Sequence, residues 1–248
     1  MLYSMIAGGF SREALISFLL TLPIILIALT VHELSHGYAA YRLGDPTAYQ
    51  FGRLTLDPRR HLDPIGTMMM LFFGFGWAKP VPVDTRRFRK PRRDMAITAL
   101  AGPCANILLC FFFYICFRVT VAVVVPEFSV LLEDGFAVSY AASLLANFAL
   151  ANIGGVSAIL MLFFYYAFYL NATLAVFNLI PIPPLDGSRI LSALLPPRIY
   201  YKVMDYERYF ALAMIFALWR GWLDVPLFYC TNGLVWLCEH AIGWLPFF

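Results

Sequence analysis

The sequence predicts an all-α, polytopic membrane protein, and three observations predict it. Of the 248 residues, 61% are hydrophobic and 13% charged, where a soluble domain needs about 25% charge to cover its surface in water. The apolar residues fall in long runs, and a helix crosses a bilayer with about 20 of them. The basic residues are segregated, with eleven of the 18 Lys and Arg lying between Arg42 and Arg93. The length leaves room for about five or six transmembrane helices. A small β-hairpin or re-entrant element is expected after the first of them. A mean hydropathy of +0.74 and 17% aromatic residues exclude disorder.

The first span is expected over residues 14–41. Its apolar run, Ala14 to Thr30, continues into Val31-His32-Glu33 and on to about Tyr41, where Gly44-Asp45-Pro46 stops it. Arg12 and Glu13 cancel and no small-residue cleavage site follows, so this is not a secretory signal.

Residues 42–94 form a basic loop. Within it, Tyr49–Leu56 and Ala78–Val83 have extended character, being rich in β-branched, aromatic or proline residues. Ile65–Trp77 is apolar but too short to span, which predicts a re-entrant or interfacial hairpin. The dense run Arg86–Arg93 reads as a cytoplasmic loop obeying the positive-inside rule, not as a nucleic-acid surface.

A second span is expected over 95–125, ended by Pro126 and followed by an acidic connection with Glu127, Glu133 and Asp134. A short membrane-associated helix precedes Gly154-Gly155, and a third core helix follows over about 156–180. Further helices fill about 207–245, giving one domain over 1–248. The five cysteines form no CxxC pair and read as small core hydrophobes.

Orientation follows from the charges. With the 42–94 loop cytoplasmic, the first helix runs inward, the second outward and the third inward again. Arg189, Arg198, Lys202 and Arg208 then also lie on the cytoplasmic side. The ends of the first and third core helices therefore reach the same face of a multi-pass protein of the cell membrane.

His32-Glu33-Leu34-Ser35-His36 matches H-E-x-x-H. Residues four apart on a helix stand about 5–6 Å apart on one face, close enough for two imidazoles to share an ion at about 2.0–2.1 Å. Glu33 is left free to carry a proton. Charged groups beside an apolar span are costly and usually functional. A third ligand is needed. His61 sits in a charged loop and His240 near the C-terminus with Glu239, whereas Asp186 ends a span on the same face. It follows Asn178-Leu179-Ile180-Pro181-Ile182-Pro183-Pro184-Leu185 and precedes Gly187, a helix-breaking run with a tight turn.

HELSHGYAAYRLGDP, GRLTLDPRRHLDPIG, GWAKPVPVD, AGPCAN and NLIPIPPLDG together resemble the site-2 proteases, intramembrane zinc metalloproteases of the peptidase M50 type. The resemblance covers most of residues 30–190 and is to the compact bacterial branch without PDZ or CBS domains. It implies one zinc ion held by His32, His36 and Asp186, with Glu33 activating a zinc-bound water. It implies that Asn178 and Asn106 steady the substrate backbone or the oxyanion. The substrates implied are transmembrane proteins cut in or near their spans within the lipid bilayer, with the active site near the cytoplasmic side.

Two other functions would use the same residues. A prenyl-protein type of membrane metalloprotease also carries H-E-x-x-H, but with a Glu or His as its usual third ligand. A divalent metal transporter would line several spans with polar residues, and the outer halves here are almost purely apolar.

Overall fold

The computed structural model describes residues 12–73, 76–124 and 155–242. Helix α1 (Arg12–Arg42) leads through a short turn, α2 (Thr47–Gln50), to α3 (Pro64–Phe73). The long helices α4 (Pro91–Val124) and α5 (Gly155–Leu179) follow, then α6 (Asp186–Ser192), α7 (Pro197–Met204), α8 (Glu207–Trp219) and α9 (Asp224–Ile242).

Three stretches are long and apolar enough to cross a membrane: Ala14–Arg42, Pro91–Val124 and Gly155–Leu179. They fit the three expected core helices. A fourth arises only if Glu207–Trp219 and Asp224–Ala241 count together, as one span bent by 87°. The described residues thus hold three or four candidate spans, and the expected five or six are not reached among them. Taken separately, neither C-terminal helix is long and apolar enough to count. The short membrane-associated helix expected before Gly154 lies outside the described residues.

The loop between α1 and α4 departs from expectation in a second way. Among the described residues it contains no strand, only an isolated antiparallel bridge between Leu62 and Ala78. Pro80 and Pro82 lack the N–H groups that would extend a ladder beyond that bridge. Tyr49–Leu56 is not extended either. Asp45 takes hydrogen bonds from the backbone N–H of Thr47, at 3.0 Å, and from its hydroxyl, and so starts the helical turn α2. Most of Ile65–Trp77 belongs to a helix, α3, whose first turn is capped by Asp63 Oδ1 accepting from Gly66 N–H at 2.8 Å.

The core lies where α4 meets α5. Cys110, Phe113, Tyr114, Phe117 and Val121 form one stripe of α4. They face Ala158, Met161, Tyr165, Phe168 and Ala172 of α5, three or four residues apart on both helices. The alanines let the backbones approach, which is the usual source of helix association where lipid already solvates apolar surface. Ile24 of α1 and Val235 and Cys238 of α9 close the cluster. The outward faces carry Leu19, Ile27, Leu108, Phe112, Val123, Leu160 and Leu212, all exposed, which suits lipid and not water.

Near the basic end, Arg92 donates to the Ala193 and Leu195 carbonyls and ties the start of α4 to the end of α6. The chain after α5 is thereby held beside α4. Phe168 is fully buried against Tyr114, Phe117 and Tyr165, with ring centroids 5.2–5.4 Å apart. Phe168→Ala should therefore cost about 3 kcal/mol through the cavity left behind, read as a lower midpoint of thermal unfolding in detergent.

Candidate metal centre

His32 and His36 are one helical turn apart near the end of α1, with ring centroids 4.5 Å apart. His36 lies six positions before Arg42, so the pair sits roughly 10 Å inside the helix end at 1.5 Å per residue. Asp186 reaches the same point from the far side of the sequence. The Pro181–Leu185 segment cannot continue α5, and Gly187 lets the chain fold back onto the end of that helix. A Cβ there would stand 2.3 Å from the Leu179 carbonyl oxygen and 2.4 Å from that of Ile180.

The three donors converge. His32 Nε2 and His36 Nε2 are 3.0 Å apart, and each is 3.2 Å from Asp186 Oδ2. Donors bound tetrahedrally at about 2.0–2.1 Å stand about 3.3 Å from one another, so the triangle has the size a small ion requires. Among the described residues, these three are the group of His, Cys, Asp and Glu so placed.

The hydrogen-bond network decides which nitrogens carry protons. Asn171 Nδ2 donates to the Ala167 carbonyl at 2.8 Å, so its Oδ1 is an acceptor. It takes a 2.8 Å hydrogen bond from Asn106 Nδ2, which also faces the Ala28 carbonyl at 3.4 Å. Asn106 Oδ1 is therefore turned to His32 Nδ1, 2.6 Å away, and that nitrogen donates. On the other ring, His36 Nδ1 donates to the Thr98 carbonyl at 2.7 Å. When neutral, both rings then present bare Nε2 lone pairs to each other and to a carboxylate oxygen. Asp186 Oδ2 is accordingly buried without a hydrogen-bond donor. Three lone pairs aimed at one point repel unless a cation joins them, so the residues fit a metal ion.

Glu33 is buried beside this triangle, with Oε2 accepting from Val81 N–H at 2.9 Å. Gly102 of α4 packs directly on the two rings. A Cβ there would lie 2.4 Å from His36 Nε2 and 2.6 Å from His32 Cε1, so a side chain is sterically excluded.

The other candidates stay apart. His61 donates from Nε2 to the Thr55 carbonyl at 2.8 Å, and His240 Nδ1 donates to the Trp236 carbonyl at 2.9 Å. Asn178 donates to the Leu174 carbonyl at 3.0 Å, one turn back in its own helix. Sequence pattern alone does not mark Asn171, Thr98 or Gly102 as parts of the centre. Asn171 carries a signal, since an amide in an apolar span needs a partner. Thr98 acts through its backbone and carries none.

A buried two-histidine, one-carboxylate group with a glutamate beside it, set in a bundle of apolar helices, is the arrangement of a membrane metallopeptidase. The chain belongs to peptidase family M50, whose model matches residues 20–218. It is 40% identical over 185 residues to "Putative zinc metalloprotease YwhC" of Bacillus subtilis (strain 168), covering 75% of this chain and 73% of the relative. It is 29% identical over 208 residues to "Putative zinc metalloprotease Rip2" of Mycobacterium tuberculosis (strain ATCC 25618 / H37Rv), covering 79% and 67%. No solved structure matches the chain at a significant level.

Two substitutions test the centre. Gly102→Ala should leave the purified protein with little bound metal, measured by elemental mass spectrometry, because its methyl group displaces the rings. Asn106→Leu should weaken metal affinity about 10–100-fold in a chelator competition, the usual cost of losing a ligand's outer hydrogen bond.

Proposed function

We propose that this protein is a zinc-dependent intramembrane endopeptidase that cuts peptide bonds in or beside the transmembrane segments of other membrane proteins. The observation that carries the reading is the meeting of His32 Nε2, His36 Nε2 and Asp186 Oδ2 inside a bundle of apolar helices. These three residues would hold a single zinc ion. When bound, zinc polarises a carbonyl and brings the pKa of water towards neutrality.

The chain's own residues do the rest. Glu33 has one carboxylate oxygen fixed by the Val81 amide. Its other oxygen is left to take a proton from water and deliver it to the leaving amine. Asn106 and Thr98 hold the two imidazoles in the tautomer that leaves Nε2 bare. Both ends of the Asn106 amide are occupied, so we assign it to His32 and not to substrate. Asn178, half-buried at the end of α5, is the amide we assign to the substrate backbone.

A substrate helix hides its carbonyls in hydrogen bonds, so it must unwind before it is cut. The Ala78–Val83 segment, already next to Glu33, is the edge along which an unwound chain would lie, and α3 flanks the approach. The basic residues around α1 and α4 favour a site near the cytoplasmic side of the cell membrane under the positive-inside rule.

Glu33→Gln tests the reading. Cleavage of a reconstituted membrane substrate should fall by about 10²–10⁴-fold, the usual contribution of a proton carrier. Zinc content should stay at the wild-type level. Retained cleavage in that variant would refute the mechanism.

A further inference from the structure

Glu33 depends for its orientation on a segment with almost no side-chain chemistry. Pro80 and Pro82 have no N–H, so Val81 is the residue of Pro80-Val81-Pro82 able to donate, and it donates to Glu33 Oε2 at 2.9 Å. The position of that amide decides where the second carboxylate oxygen points.

Two residues earlier, the Lys79 backbone is held from both sides. Its N–H donates to the His61 carbonyl at 2.8 Å, and its carbonyl accepts from Arg53 Nη2 at 2.6 Å. The two anchors are 1% and 7% exposed. Each is fixed in turn, His61 by the Thr55 carbonyl and Arg53 through its backbone N–H to the Ala48 carbonyl at 2.9 Å.

A buried guanidinium is expensive, and its hydrogen bond to the Lys79 carbonyl offsets part of that cost. Here its charge has a second use. Burial draws the Arg53 pKa below its ordinary value, and the nearby Glu33 carboxylate pushes it back up. The Nε of Arg53 is buried without a hydrogen-bond partner, so Nη2 carries the hydrogen bond to the segment. The motif GRLTLDPRRH thus meets the catalytic machinery at one place, through Arg53 and His61.

We propose that Arg53 is a positioning residue for Glu33, bracing the Lys79–Val81 backbone so that the Val81 amide holds the carboxylate in its working orientation. The inference rests on Glu33 being the proton carrier. Arg53 lies outside the group of His32, His36 and Asp186 that could hold the metal.

The test compares Arg53→Gln, Arg53→Lys and Glu33→Gln in the full-length protein, reconstituted with zinc. Arg53→Gln should lower kcat about 10–100-fold, in the range of lost outer hydrogen bonds, with KM and zinc content unchanged. Hydrogen–deuterium exchange over Ala78–Val83 should speed up, since the Lys79 carbonyl loses its Arg53 donor and the Val81 amide is no longer braced against Glu33. Arg53→Lys, which keeps the charge and one donor, should recover most of both readouts. Unchanged kcat and exchange in Arg53→Gln would overturn the proposal, and so would loss of zinc in parallel with kcat, which signals general collapse. If Glu33→Gln still cleaves, the proton-carrier reading fails instead. Exchange at Val81 would then separately report whether Arg53 braces the segment.

Discussion

Two imidazoles cannot present bare nitrogens to one another in apolar surroundings unless their remaining protons are accepted elsewhere. That requirement organises the bundle. The acceptors for His32 and His36 both come from α4, as the Asn106 side chain and the Thr98 carbonyl. Asn106 can serve because its amide hydrogens are taken by Asn171 of α5 and the Ala28 carbonyl of α1. One hydrogen-bond chain thus runs from α1 through α4 to α5, and the three helices must pack in a single register to complete it. The apolar core beneath supplies the close approach, and the polar chain supplies the alignment.

Steric gaps matter as much as contacts. Gly102 clears the space in which the two rings meet, and Gly187 lets the Asp186 turn press against the end of α5. Proline acts in the opposite sense. Pro181, Pro183 and Pro184 end α5 so that a carboxylate can turn back. Pro80 and Pro82 strip donors from the segment beside Glu33 until one amide remains.

Much of this was legible in the sequence, and the limits have physical causes. His32, Glu33 and His36 are close in sequence, so helical geometry alone brings them together. Asp186 was legible because it is a carboxylate placed directly after a proline-broken span, on the face that the two histidines reach. The three core helices were marked by apolar length. The C-terminal runs are harder to count, because composition does not show the 87° bend between α8 and α9. Tyr49–Leu56 looked extended by residue type, but the Asp45 side chain wins by starting a helical turn. The links through Thr98, Lys79 and Val81 run through backbone atoms, which leave no pattern of residue types.

The central claim is that two histidine nitrogens and one carboxylate oxygen hold the ion. X-ray absorption spectroscopy of the purified, zinc-loaded protein measures those ligands directly. The predicted result is a first shell of nitrogen and oxygen only at about 2.0–2.1 Å, with the outer scattering of two imidazole rings. A sulfur shell at about 2.3 Å, or imidazole scattering from fewer than two rings, would contradict it.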